Sequence, residues 1–371
     1  MSSSSNRFVL QDEKGTPISQ LPTVENSSTQ RFFLMVKCRI CKCYERFCVR
    51  LGILRGYGSV SVSVDWFPVI MDTLQIYIAG GNSWVMSGLR NILDTQSLAY
   101  MGLYVALIAG QWFGGFTWWQ YAGLLFFSIG MQVIHHNHVH LGIWRSNKLN
   151  RLTSLFISVT TAVPSAMMIG GHIKNHHVHQ HGPEDHTRTY RFGGDHNHFP
   201  GYVLHPFQAF FTLIPIFWKD FLGGIPKRSR FSRQLALEVS LIFAAWILLA
   251  GMNWQNFLLF VLLPQLFGLH WLLGANYLQH AHCDDASDVN YARNFTGVVN
   301  WFWFNIGYHT AHHDHPGAHW STLRKIHDEN CEQVDSRLCC SSFVSYVLRT
   351  FFLSIVFDSC RSRSLKQVTS T

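Results

Sequence analysis

Residues 135–140 read His-His-Asn-His-Val-His, directly after an apolar run that ends at Ile134. On a helix His136 and His140, four apart, share one face, so both can offer an imidazole to the same metal. The spacing returns in His172-Ile173-Lys174-Asn175-His176-His177, where His177 turns towards a neighbouring position. Asn276-Tyr277-Leu278-Gln279-His280 closes a second apolar run, and His309-Thr310-Ala311-His312-His313 has the helical i, i+3, i+4 spacing. The ligand-spaced set is therefore His136, His140, His172, His176, His177, His280, His309, His312 and His313. A zinc site uses about four ligands and a single transition metal rarely more than about six, so this set points to two metals. All-nitrogen sites suit iron, copper, nickel or zinc; two irons account for a membrane enzyme that needs a strong oxidant. A lone histidine at a membrane boundary is ordinarily an interfacial residue, and His205 and His270 read that way. Four clusters at ligand spacing beside apolar runs do not, because polar groups there are costly unless paired or coordinated.

Working outward, the 371 residues are 48% hydrophobic, 15% aromatic and only 13% charged, with 22 histidines. Soluble domains carry about 25% charged residues, so the composition points to lipid. Four stretches approach the ~20 apolar residues a spanning helix needs. Residues 98–118 and 119–134 meet at Gly114-Gly115, and 235–252 and 257–275 meet at Asn253-Trp254-Gln255-Asn256, which predicts two hairpins. Residues 152–170, broken by Pro164, and 203–218, with Pro206 and Pro215, read as interfacial or re-entrant helices, as does 65–85. Arg145, Lys148 and Arg151, then Lys227, Arg228, Arg230 and Arg233, then Arg293, Arg324 and Lys325 place the intervening loops on the cytoplasmic side. The expected fold is an all-α integral membrane protein of four transmembrane helices in two hairpins. A cytosolic helical cap (135–233 and 276–330) holds the di-metal site.

The expected divisions are a disordered Ser-rich tail (1–30), a basic juxtamembrane segment (31–96), the catalytic domain (97–330) and a C-terminal segment (331–371). The start lacks the apolar core of a secretory signal. The net charge of +8 flanks the apolar runs and forms no soluble nucleic-acid-binding face. Cys38-x-x-Cys41, with Cys43 and Cys48, is half a zinc site without a second CxxC pair; it reads as reduced juxtamembrane thiols open to palmitoylation. The surplus histidines, His138, His179, His181, His186, His196, His198, His282, His315 and His319, are candidates for outer hydrogen-bonding roles. Asp284, Asp285 and Asp314 either orient imidazoles or are solvated loop charges.

Over about 98–329 the sequence resembles the membrane fatty acid desaturase and hydroxylase superfamily, whose signature is three histidine boxes. Here they are HNHVH (136–140), HIKNHH (172–177) and HTAHH (309–313). NYLQH (276–280) is similar to the NYxEH element of membrane alkane monooxygenases, with Gln279 in place of Glu. It is also similar to the NxxxH element of acyl desaturases, in which the Asn, here Asn276, approaches iron through water. Asp314-His315-Pro316-Gly317-Ala318-His319-Trp320 looks like the HPxxHW continuation of bacterial desaturase-like proteins. It departs at Ala318 from the haem-binding HPGG motif, so electrons are expected from a separate ferredoxin, or from cytochrome b5 with its reductase. The resemblance implies two iron ions, O2 and a fatty acyl or alkyl substrate lying in an apolar tunnel, with Trp118, Trp119, Trp271 and Phe267 as wall residues. Desaturation of a fatty acid or acyl-lipid is the expected outcome; hydroxylation and decarboxylation to a terminal alkene occur in the same superfamily. A membrane metal transporter with histidine-rich loops is the alternative of another class, but transport would place ligands at mid-membrane, whereas these sit at span ends.

Overall fold

A computed structural model describes residues 31–36, 47–56, 59–62, 88–192 and 195–366. The chain divides into two units, 1–81 and 82–371. In the first, Arg31–Val36 (β1), Phe47–Gly56 (β2) and Ser59–Val62 (β3) form an antiparallel meander, with Arg31 opposite Gly52 and Ile53 opposite Val62. These strands amend the all-α expectation for a segment rich in Phe, Val, Ile and Leu, residues that favour extended backbone or tolerate it. Cys38, Cys41, Cys43, the 1–30 tail and the 65–85 stretch lie outside the described residues, and Cys48 falls on β2.

The second unit is helical. Asp94–Gly114 (α1) and Trp118–His140 (α2) are joined by a turn in which Gly115 takes φ +83°. Buried Gln111 clasps that turn, donating to the Thr117 carbonyl (2.9 Å) and accepting from its amide (3.1 Å). Arg230–Met252 (α6) turns into Trp254–His280 (α7) at Asn253, whose side chain accepts from the amides of Gln255 and Asn256 and so caps α7. α2 packs between α1 and α7. A Cβ on Gly268 would meet the Ser128 carbonyl at 2.8 Å, so glycine is what lets α7 lie this close to α2.

Among the described residues two helices, α6 and α7, are long and apolar enough to cross a membrane, where the sequence predicts four spans. α1 carries Gln96, Ser97 and Gln111, and α2 ends in its histidine box, which dilutes both. Asn147–Thr161 (α3) and Ser165–His179 (α4) pass the same test only together, bent by 96°, as a broken span or a re-entrant loop. The break begins at Ala162, in the left-handed region, and every backbone group it frees must find a partner inside the protein. Gln132 of α2 donates to the Thr161 carbonyl (3.2 Å), and Gln265 of α7 to the carbonyls of Val159 (3.0 Å) and Thr160 (3.3 Å). On the far side Ser158 accepts from the Ser165 amide (3.0 Å), and the buried Glu238 of α6 accepts from that of Ala166 (2.9 Å). These side chains fix the bend that swings the second histidine box against α2.

Phe199–Gly224 (α5) runs through Pro206 and Pro215 as one 26-residue helix, longer than the predicted segment, and packs on α6 and α7. Beyond α7 the chain forms Asn294–Phe295 (β4), paired in parallel with Cys339–Cys340 (β5), and four short helices. These are Val299–Phe302 (α8), His309–Asp314 (α9), Leu323–Asn330 (α10) and Phe343–Phe351 (α11). Arg293, counted above among the basic loop residues, is buried; its guanidinium donates to the carbonyls of Leu278 (2.8 Å) and Ala281 (2.9 Å) and lies over the Tyr346 ring. It closes the C-terminal end of α7, whose last carbonyls have no helical partners.

Candidate metal centre

The nine ligand-spaced histidines converge into two groups. His136, His140, His172, His177 and His312 form the first, and His176, His280, His309 and His313 the second, with one nitrogen of each residue within 4.8 Å of the others in its group. α2 supplies two members and the end of α7 one; α4 and α9 each supply members to both groups. The division within α4 coincides with a π-helical turn, Ile169–His176, a feature found often at functional sites. α9 is only six residues long and too short to stand alone. Asn294 holds its start, accepting from the Thr310 amide (3.0 Å) and donating to the Thr310 hydroxyl (2.9 Å). Gln279 of α7 donates to the Ile306 carbonyl just before it, and Phe304, Ile306 and Tyr308 pack into the core shared by α1 and α2.

The donor atoms fit a metal. His177 Nε2 lies 3.1 Å from His172 Nε2 and 3.0 Å from His312 Nε2; His309 Nε2 lies 3.0 Å from His280 Nε2 and 3.2 Å from His313 Nε2. Metal–imidazole bonds of about 2.1 Å set at right angles place two nitrogens about 3.0 Å apart. The buried Nε2 atoms of His140 and His176 have no hydrogen-bond partner within the protein, a costly arrangement unless a ligand satisfies them. Burial, reinforced by the neighbouring imidazoles, holds the pKa values of His309, His312 and His313 well below the usual histidine range. They are neutral near pH 7, the form that ligates.

Outer contacts orient several of these rings. His176 Nδ1 lies 2.6 Å from Asp185, His280 Nδ1 3.0 Å from the Tyr291 carbonyl and His136 Nδ1 3.0 Å from the Asn137 side-chain oxygen. Each contact holds a proton on Nδ1 and leaves Nε2 free to ligate. Asp185 also accepts from the His181 amide and from the amide and hydroxyl of Thr187. Burial alone would raise its pKa, but His176 and these hydrogen bonds hold it below the usual carboxylate range. Nothing in ligand spacing singles out Asp185; its one signal in the sequence is that it is an acidic residue in the histidine-rich loop that follows the second box. The carboxylates considered in its place bond elsewhere: Asp285 and Asp314 accept from the hydroxyls of Tyr190 and Tyr291, and Asp284 from the Ala286 amide.

The remaining histidines join neither group. His135 faces Ser165 and Thr161, His138 faces Asn150 and Ser154, and His319 stands 3.3 Å from Asp94. His181 stacks on His280, and burial pushes its pKa down to about 4. His270 packs against Phe207, whereas His205, expected at the interface, is buried against Tyr277 because α5 packs on the end of α7 there.

A cavity of about 300 Å³ lies among α4, α5, α6 and α7. Its inner end is formed by His136 and His172 of the first group, His176 and His309 of the second, and Thr187, Asn276 and Gln279. Its walls are apolar, Leu213, Phe217, Ile242, Trp246, Trp271 and Leu272 among them. Trp271 is thus a wall residue as expected. Trp118 and Trp119 are instead 79% and 73% exposed at the start of α2, the end opposite His136, and Phe267 is exposed on α7; none of the three lines the cavity. Asn276 does not cap its own helix; its amide donates to the Thr187 carbonyl (3.2 Å) across the inner end.

Two sets of imidazoles, gathered from α2, α4, α7 and α9 beside an apolar cavity, define a helical histidine-box protein able to hold a pair of metal ions. The family model Fatty acid desaturase matches residues 110–338, and the chain belongs to that family. No curated protein matches it.

Proposed function

We propose that this protein is an integral-membrane, non-haem di-iron oxidoreductase that desaturates a fatty acyl chain. The observation that carries this reading is the meeting of both histidine groups with the inner end of one apolar cavity. In it the first group would hold one iron and the second group the other, and Asn276 would offer the second position a neutral side chain that adds no charge. The bound irons supply reduction of O2 to an oxidant strong enough for an unactivated C–H bond. The protein's part is placement: the walls exclude water and fix one methylene pair at the inner end. The overall reaction takes two hydrogens from the chain, two electrons from a donor, two protons and O2, and returns an alkene and two waters.

Mass spectrometry of lipids from cells with and without expression tests the reading. Acyl species with one added double bond should appear on expression and be absent with the His312→Ala variant. An unchanged lipid profile from iron-loaded protein supplied with reductant would overturn it, and added hydroxyls or terminal alkenes would move the outcome to hydroxylation or decarboxylation.

The centre in this reading faces the cytoplasm, and electrons arrive from a ferredoxin or from cytochrome b5 with its reductase. Lys227, Arg228, Arg230 and Arg233 are exposed around the turn between α5 and α6, and complementary charge speeds association with an acidic donor. Reversing these four charges should slow donor-driven turnover about tenfold or more at low salt and leave turnover with a small chemical reductant unchanged. Equal slowing with both would refute docking there.

A further inference from the structure

Arg293 is 1% exposed, yet among the described residues its guanidinium forms no ion pair. Beyond the two carbonyls it holds, it reaches the Ser362 hydroxyl (3.3 Å), and its Nε has no partner within the protein. A buried charge without a counterion is costly. Arg293 lines a second cavity, of about 580 Å³, which shares no lining residue with the apolar one. Arg337, Arg349, Arg361 and Arg363 line it too, against one carboxylate, Asp358, and six serines supply hydroxyls. Arg361 and Arg363 share Asp358 (3.4 and 3.2 Å), and Arg337 pairs with Asp335 (2.6 Å). Arg349 is exposed and has no acidic partner among the described residues. Ser342 caps α11 and Ser345 lies in its first turn, so the positive end of that helix borders the same space.

Guanidinium forks and hydroxyls arranged around one space match the acceptor oxygens of a phosphate. The surface beside them is apolar. α11 turns Tyr346 and Phe351 into the core with Tyr277 and Leu278, and leaves Val344 and Leu348 exposed on its other side. The chain just beyond adds Leu353, Ile355, Val356 and Phe357, all exposed. This surface continues onto α5, where Phe352 meets Phe199 with 4.8 Å between ring centres, and α5 packs on the candidate spans α6 and α7. A helix with one apolar face outward, beside a cluster of cations, is built to lie in the boundary of a membrane. There the phosphate layer stands directly over the acyl chains. A soluble phosphate would account for the arginines and leave the apolar face without a role.

We propose that the arginine-lined cavity binds the phosphate of an anionic glycerophospholipid, with α11 and residues 352–357 resting in the acyl boundary. This lipid is a resident ligand and not the substrate, since its site has no residue in common with the apolar cavity or the two histidine groups. Its phosphate supplies the counterion that Arg293 lacks. Arg293 in turn holds the carbonyls of Leu278 and Ala281, which stand on either side of His280. Binding therefore stabilises the end of α7, because a ligand held only by the folded state shifts the folding equilibrium towards it.

The test uses the full-length protein in phosphatidylcholine nanodiscs, with phosphatidic acid added as the probe. Native mass spectrometry reads retained lipid, and tryptophan fluorescence follows the unfolding midpoint. The parent protein should retain phosphatidic acid in preference to phosphatidylcholine and unfold at a higher temperature with it. Arg349→Gln/Arg361→Gln, which alters only exposed side chains, should weaken retention about tenfold or more and remove the rise in midpoint. Its midpoint in pure phosphatidylcholine should match the parent's, which reports an intact fold. Val344→Ser/Leu348→Ser keeps every arginine; it should weaken retention of the lipid and leave binding of inorganic phosphate as in the parent. Equal retention of both lipids by the parent, or undiminished retention by the arginine variant, would overturn the site. Inorganic phosphate that raises the midpoint as far as phosphatidic acid does would assign the cavity to a soluble phosphate and overturn the lipid. Neither readout needs iron or O2, so the result stands apart from the oxidation assay.

Discussion

His312→Ala and His176→Ala should each abolish turnover while the protein stays folded, and each should empty a different metal position. His312 belongs to the five-membered group and His176 to the four-membered one. Purified wild-type protein should hold about two irons per chain, and either variant about one, because a position that loses a ligand loses both a bond and its geometry. His312 is buried and neutral, so its removal leaves a small cavity and no unpaired charge. Changes of that kind ordinarily cost about 1–3 kcal/mol. Iron analysis together with circular dichroism in detergent separates the effects. Full iron content in both variants, or one zinc and no iron in the parent, would sink the two-metal assignment.

Asp185→Asn should lower affinity for the second metal by about 10–100-fold, the usual effect of losing a carboxylate that orients a ligating imidazole. The carboxylate only accepts, so at 2.6 Å it holds the proton on His176 Nδ1. An amide can turn its NH2 to the same nitrogen and favour the tautomer whose Nε2 carries the proton and cannot ligate. Asp185→Ala should be worse, because the amides of His181 and Thr187 lose their acceptor as well. Iron titration monitored by absorbance measures the effect, with the first group, His136, His140, His172, His177 and His312, as the unaltered reference. An Asn variant that binds its second metal as tightly as the parent would show that Asp185 only shapes the 181–187 loop.

Much of this centre was readable from the chain. Helical spacing within 136–140, 172–177 and 309–313, with His280 at the end of an apolar run, is a local feature, and together they named the same nine histidines that the fold gathers. The turns at Gly115 and Asn253 were also legible, since glycine in the left-handed region and Asn at a cap are local preferences. Spacing could not show which imidazole joins which group. His176 and His177 are adjacent yet serve different groups, and so do His312 and His313, because the split depends on the π turn in α4 and on how α9 is docked. Asp185 escaped notice because it becomes an orienting residue only when the 181–187 loop folds back on His176.

The sequence by itself therefore determined the helical character and which histidines gather, since these follow from helical spacing and from position beside apolar runs. Only the tertiary structure decided the division into five and four, the bend between α3 and α4 fixed by Gln132, Gln265 and Glu238, and the outward place of Trp118 and Trp119. It also decided the position of the cavity. The physical reason is that backbone periodicity sets which side chains share a helix face, whereas a cavity, an orienting hydrogen bond or a metal position arises where faces of helices distant in sequence meet.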